Sequence, residues 1–185
     1  MASRKPKDDE ADAVNGDLTR ELSAENKIKN YVIASVGVSI VPVPLFDIAA
    51  VVAIQLRMIQ KLSQLYGHPF TERTARNIIT ALAGGVLGYG AGFAVAASAA
   101  KLIPGVGWAI GMASLPLVSG GATYAVGRTI VKHFEDGGSL FDFSADRMRA
   151  YYQEQFEKGK ELAAKAKAGL KEGQAPEADE VSSAA

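Results

Sequence analysis

The feature that most constrains this chain is the stretch of residues 77–127, which contains a single charged residue, Lys101. Lys101 divides the stretch into uncharged runs of 24 and 26 residues. About 20 apolar residues are enough for a helix to cross a bilayer. Residues 101–107, KLIPGVG, have the composition of a turn. The pattern therefore predicts two apolar helices folded back to back as a hairpin.

The charged residues lie on either side of this stretch. Residues 1–22 and 172–185 are polar with little to bury, and we predict disordered tails there, the second one acidic. Residues 23–140 are predicted to form a domain of helical hairpins, and residues 144–171 a separate amphipathic helix. The formal net charge is zero, so no nucleic-acid partner is expected. The absence of cysteine excludes disulfides and thiolate metal sites.

A first hairpin is predicted before the uncharged stretch. Ser23 can cap a helix that begins at Ala24, and Pro42 and Pro44 end it. Proline lacks a backbone donor and pushes the preceding residue out of helical geometry. A second helix is expected over residues 45–66, with Gly67 as its stop.

The uncharged stretch itself continues a helix that Thr71 is expected to cap. Its glycines at 84, 88 and 92 lie four residues apart, so they form a ridge that lets another helix approach closely. Gly107 begins a similar row after the turn. Pro116 is predicted to kink or split the second run.

The last helix is expected over residues 145–170, capped by Ser144. Its smaller and apolar residues share one face at helical spacing: Met148, Tyr152, Phe156, Gly159, Ala163 and Ala166. This helix can lie on anionic lipid, dock on its own domain or pair with a partner. The predicted fold is all-α: two helical hairpins, the second glycine-rich and a transmembrane candidate, plus the C-terminal amphipathic helix.

No combination of residues indicates catalysis. Residues 105–111, GVGWAIG, look like a dinucleotide-binding fingerprint, but no strand precedes them. Residues 122–129 have almost the spacing of a phosphate-binding loop, but lack its first glycine and its lysine. His68 and His133 are the only histidines, and neither has a good second ligand at metal spacing. We therefore predict no enzyme, no cofactor and no metal.

Asp47 is the only charged residue between Lys29 and Arg57. It can be an intramembrane or buried carboxylate that binds a partner. Alternatively, it lies in the first turn of a helix and accepts hydrogen bonds from free backbone N–H groups, which we favour. Gln55 lies two turns later on the same side of an ideal helix. Our candidates for packing or interaction are Pro42, Pro44, Asp47, Gln55, Gly84, Gly88, Gly92, Pro104, Gly105 and Gly107.

Four separated motifs carry a resemblance to a known family. They are residues 40–47 (IVPVPLFD), 54–58 with 66–67, 101–107 and 122–128 (ATYAVGR). In order and spacing the chain resembles the YcjF-type domain-of-unknown-function family, over residues 25–138. Members are bacterial proteins that occur alone or after Era-like GTPase domains. The resemblance implies membrane association, no known catalytic residues and, since this chain lacks the GTPase half, at most a GTPase partner in trans.

Charges beside the uncharged stretch predict its orientation. Arg73 and Arg76 precede it, and Arg128 and Lys132 follow it, so the positive-inside rule places both ends in the cytoplasm. The arms of the first hairpin, about 12 residues or about 18 Å each, are too short to span. We therefore expect a protein of the bacterial inner (cytoplasmic) membrane with cytoplasmic termini.

The predicted role is that of a non-enzymatic anchor or adaptor that contacts membrane lipid and forms homo-oligomers through its glycine ridges. One alternative is a soluble oligomeric bundle that buries the glycine-rich hairpin and binds a GTPase. Another is a small assembly that remodels membranes or forms channels.

Overall fold

The computed structural model describes residues 6–40, 46–89 and 106–172, with side chains described over residues 14–40, 49–84 and 114–170. Within these ranges there is no strand, and the predicted all-α fold is confirmed. The helices are α1 (Pro6–Val38), α2 (Phe46–Tyr66), α3 (Glu72–Tyr89), α4 (Val106–Glu135) and α5 (Ala145–Lys171). The predicted turns at residues 41–45 and 101–105 and the acidic tail after Glu172 lie outside the described residues.

Helix α1 begins well before the predicted start at Ala24. Pro6 occupies the first helical position, where its fixed φ suits the helix and its missing N–H is not needed. Ser23 lies inside the helix rather than at its cap. Its hydroxyl donates to the Thr19 carbonyl, one turn earlier, at 2.8 Å. Residues 6–22, which we expected to be a disordered tail, are therefore helical. Their polar composition is that of a solvated helix, since residues 14–22 are exposed.

Glycines end α2 and α4, and the one after α2 is the predicted Gly67. Gly67 has φ of +73° and Gly137 of +82°, in the left-handed region that residues with a Cβ avoid. The next N–H reaches back to the last turn each time: His68 N donates to Ser63 O at 2.8 Å, and Gly138 N to His133 O at 2.9 Å. Both ends therefore have the Schellman arrangement.

Thr71 and Ser144, the predicted caps of α3 and α5, differ in their hydrogen bonding. The backbone N–H of Thr74 donates to Thr71 Oγ1 at 3.4 Å, so Thr71 caps α3. Ser144 precedes α5 in an extended conformation, but its side chain makes no capping hydrogen bond. The position of the last helix is thus as predicted, whereas the capping contact is not found.

Helix α4 contains most of the second uncharged run and contacts all four other helices. Pro116 lies inside this helix, so the predicted split is wrong, whereas the alternative of a kink stays a prediction. Gly107 belongs to its first turn rather than to the preceding turn. Burial in protein explains the absence of charge in the second half of this uncharged segment, because residues 120, 121, 123 and 125–127 are buried.

The core is formed mainly by aliphatic side chains from four helices, and α3 contributes Ile78, Ile79 and Leu82 to it. Helix α1 contributes Ile28, Val32 and Val36 at four-residue spacing, and α2 contributes Met58, Ile59 and Leu62. Helix α4 supplies its buried face between them. Each such side chain stabilises the fold by about 1.5–3 kcal/mol relative to exposure. The core therefore ends at Ala24 on α1, and the earlier residues project beyond it.

Glycines bring α4 and α5 into close contact. A Cβ on Gly159 would lie 2.7 Å from Tyr124 Cβ and 2.9 Å from the Gly121 carbonyl oxygen. A Cβ on Gly120 would lie 2.6 Å from Ala163 Cβ. These distances are too short for real atoms, so the two helices can approach this closely only because glycine has no side chain.

We expect Gly159→Ala to lower the free energy of unfolding by about 1–3 kcal/mol relative to Gly84→Ala, because the added methyl meets backbone atoms that cannot move aside. Gly84 is the matched control, since it is also helical and a Cβ there meets nothing within 4 Å. The gain in helix propensity, about 1 kcal/mol, is common to both. Urea denaturation followed by circular dichroism measures the difference. Equal stabilities would contradict the close crossing.

Candidate functional site

A cleft of about 230 Å³ opens at one end of the bundle, between α1, α2, α3 and α4. We call this the cleft end. Its walls are apolar and come from three helices: Val51, Val52, Ile79, Ala83, Leu115 and Val118. Leu115 and Val118 at the rim are 42% and 39% exposed. The cleft therefore presents an apolar surface to the outside rather than a closed core.

Buried hydroxyls form the floor of the cleft. Ser39 Oγ lies 2.8 Å from Ser119 Oγ, and the two hydroxyls lie 2.9 and 3.2 Å from the Ser35 carbonyl oxygen. Ser35 Oγ in turn lies 2.8 Å from Thr123 Oγ1. Gln55, only 3% exposed, donates from Nε2 to Thr123 Oγ1 at 3.3 Å. These bonds join α1, α2 and α4, and we call the five residues the hydroxyl network.

The chemistry of the hydroxyl network is neutral. It contains no histidine or carboxylate that could act as a base and activate a serine as a nucleophile. Among the described residues, no group of three or more His, Cys, Asp or Glu could hold a metal ion. Satisfied polar groups in a core fix the relative positions of the helices that carry them. We therefore assign the network to packing beneath the cleft.

The candidate residues named from the sequence fall in different places. Gln55 belongs to the hydroxyl network. Asp47 lies in the first turn of α2, but its side chain is outside the described residues, so neither interpretation of it is tested. Gly84 is exposed. Gly88 and Gly107 are described only as helical backbone. The others lie outside the described residues: Pro42, Pro44, Gly92, Pro104 and Gly105.

Sequence reasoning missed four members of the network. Ser35 and Ser39 are four residues apart on α1, and Ser119 and Thr123 are four apart on α4. This spacing places each pair on one helix face. Hydroxyl pairs within the uncharged residues 30–40 and 106–127 were a usable signal, because a buried hydroxyl needs a partner and two such pairs can supply each other.

The other end of the bundle, which we call the loop end, holds the connection between α4 and α5. A cavity of about 340 Å³ lies there. His133 Nε2 lies 2.9 Å from the Ser139 carbonyl oxygen. The Ser139 hydroxyl and backbone N–H donate to Asp142 Oδ1 at 2.7 and 2.6 Å, and they lower the pKa of Asp142 to about 2. These polar groups hold the loop in shape.

The loop end is also where the first half of α1 meets α2 and α4. The Tyr66 hydroxyl donates to Glu135 Oε1 at 2.9 Å, and the Arg20 guanidinium lies 5.7 Å from the centre of the Tyr66 ring. Burial, together with the hydrogen bond to Glu135, raises the pKa of Tyr66. The loop end is thus held by charged and aromatic groups, in contrast to the cleft end.

Most of this bundle is similar in sequence to known proteins. The model of a family described as a domain of unknown function, DUF697, matches residues 14–161. This chain belongs to that family. A protein of Magnetospirillum gryphiswaldense called magnetosome membrane protein 22 is 69% identical over 149 residues, which cover 80% of this chain and 76% of the relative. No solved structure matches the chain. The narrower YcjF-type resemblance and the GTPase association stay predictions.

Across residues 6–40, 46–89 and 106–172, no helix is both long and apolar enough to cross a membrane. The transmembrane helices expected from the uncharged runs are therefore not found in these ranges.

Replacing Thr123 by valine keeps the shape of the side chain and removes the hydroxyl that Ser35 and Gln55 contact. We expect the free energy of unfolding to fall by about 1–3 kcal/mol, because buried polar groups are left without a partner. Thr80→Val is the control, since Thr80 is exposed and bonds only to the Arg76 carbonyl. Its effect should stay within about 0.5 kcal/mol. Equal effects in urea denaturation would contradict the network.

The carboxyl of Asp142 should titrate near pH 2 rather than near its ordinary 3.8. A lowered pKa in the folded state means that the carboxylate stabilises the loop above pH 3.8, and that this contribution is lost as the pH falls through 2. NMR of the carboxyl carbon measures the titration. Ser139→Ala removes one donor, so the pKa of Asp142 should rise in that variant. An unchanged pKa of Asp142 in Ser139→Ala would mean that the Ser139 hydroxyl does not stabilise the carboxylate.

Proposed function

We propose that this chain is a non-enzymatic membrane-associated protein whose cleft end contacts the bilayer and whose loop end faces the cytoplasm. The observation that carries the proposal is the exposed apolar rim of the cleft, Leu115 and Val118. Large apolar side chains grouped around an open apolar cleft are typical of a surface that meets lipid or another protein. Lipid is the better match because of the chain segments that begin at this end.

The connections at the cleft end have an apolar sequence. Residues 41–45, VPVPL, follow α1, and residues 90–105 between α3 and α4 contain one charged residue, Lys101. The described parts of α3 and α4 next to them, residues 77–89 and 106–127, are uncharged. Uncharged sequence on both sides of an exposed apolar rim suits contact with the apolar layer of a membrane.

The relative from Magnetospirillum gryphiswaldense supports the same proposal, since it is called a magnetosome membrane protein. For this chain we propose the bacterial inner (cytoplasmic) membrane. The loop end would then present its charged groups, such as Arg20, Glu135 and Asp142, to the cytoplasm.

An anchor or adaptor also needs a surface for a partner. The exposed half of α1 and the loop end are available for one, and the family resemblance suggests a GTPase acting in trans. Self-association is proposed through Gly84, because this glycine faces open space and leaves room for a helix of a second copy. Neither partner is needed for the contact with the membrane.

Replacing both rim residues, in Leu115→Asp/Val118→Asp, should abolish retention in the membrane fraction, because two carboxylates would have to enter apolar lipid. The control is Leu18→Asp/Phe141→Asp, which adds the same charge at exposed apolar residues away from the cleft, 53% and 60% exposed. Cell fractionation with a carbonate wash measures retention, and circular dichroism checks the fold. If the rim variant stays with the membrane as well as the control does, the cleft is not the contact surface.

A further inference from the structure

The cleft is too small to enclose a whole ligand of drug size. Its volume is about 230 Å³, whereas pockets that bury such a ligand measure about 300–1,000 Å³. A water molecule occupies about 30 Å³ of the liquid, and a methylene group is similar in size, so the cleft has room for about eight methylenes. It therefore suits one end of a longer chain whose remainder stays outside.

The polar side chains of the floor are already hydrogen-bonded within the protein. Ser39, Gln55 and Ser119 are the polar residues among those that line the cleft. Ser39 Oγ lies 2.8 Å from Ser119 Oγ, and Gln55 Nε2 donates to Thr123 Oγ1 at 3.3 Å. Across the described side chains, the buried polar atoms without a partner lie elsewhere than in the cleft: Ser63 Oγ, Arg128 Nε and Thr129 Oγ1. The floor thus offers an incoming polar group no buried atom that lacks a partner, so the loss of its water is not offset.

The position of the cleft indicates which molecule can enter it. It opens beside Leu115 and Val118, the rim that we propose to contact the bilayer. Lipid acyl chains are linear and apolar and end in a methyl group, so they match both the size and the chemistry of the cleft. A helix of a second copy does not, because a helix about 10 Å across with its side chains would fill the cleft within about 3 Å of its length.

We propose that the cleft holds the methyl end of one acyl chain of a membrane lipid, over about eight carbon atoms, while the rest of the lipid stays in the bilayer. The apolar walls contact the chain, and the hydrogen-bonded floor excludes a chain end that carries a polar group. An unfilled cleft would leave a void or water against apolar walls, and each methylene that fills such a space favours occupancy about threefold. This inference rests on the proposed function and names the ligand of the same cleft.

The test uses the full chain bound to vesicles that contain a phosphatidylcholine with a photoreactive diazirine on one acyl chain. In one probe the diazirine is at the methyl end of the chain, and in the other it is beside the ester. Mass spectrometry of the irradiated protein locates the labelled residues, and Ser39 and Gln55 report on the floor because they are only 4% and 3% exposed. Ala83→Leu fills part of the cleft, and Ala81→Leu is the matched control, since Ala81 is an exposed residue of α3 that does not line the cleft. Flotation measures binding to the vesicles, and circular dichroism checks that both variants fold.

We expect the methyl-end probe to label Ser39 and Gln55, and the ester-end probe to label them much less. At probe levels where labelling rises in proportion to the probe, Ala83→Leu should reduce labelling of the floor about tenfold, because the added carbon atoms displace about two methylenes. Ala81→Leu should leave it unchanged. Equal labelling of the floor by the two probes, equal effects of the two variants, or no labelling of the floor in a chain that floats would overturn the acyl-chain site and leave membrane contact intact. Failure of the unmodified chain to float would overturn the proposed function and this inference together.

Discussion

The close approach of α4 and α5 is the contact on which the rest of the structure depends. At the crossing, Gly120, Gly121 and Gly159 leave no space for a Cβ, so the helix backbones themselves are in contact. This contact sets the direction of α5 along α4. A Cβ on Gly120 would also lie 2.8 Å from Val36 Cγ2 of α1, so three helices come together at this level. The C-terminal half of α5 therefore lies alongside the N-terminal half of α4.

The cleft combines apolar walls with a floor of polar side chains. The hydroxyl network offers enough partners for its buried hydroxyls and for Gln55 to hydrogen-bond within the protein. The floor can therefore stay dry beneath an apolar surface that remains open. Without such internal pairing, the hydroxyls would need water, and an apolar surface above them would be costly.

Helix type and helix ends could be predicted from sequence because their causes are local. Glycine at 67 and 137, and Thr71 before Glu72, act through the backbone within a few residues. Burial is not local, so the charge-free α4 could not be distinguished from a membrane span by composition alone. The same reason explains why the close contact at Gly159 was not foreseen, since the sequence showed this glycine only as part of an apolar face. The hydroxyl network was missed because its members lie on three helices, and the sequence does not show which faces of those helices meet.

The length of α1 determines how far its first turns lie from the cleft end. Its 33 residues span about 50 Å, and residues 6–17, about 18 Å of it, lie before Arg20, which contacts Tyr66 at the loop end. In a bundle that contacts a bilayer by its cleft, this first part of α1 is a stiff spacer directed away from the lipid. A protein held at its outer turns would sit at a fixed height above the membrane, set by the number of helical residues rather than by a flexible tether.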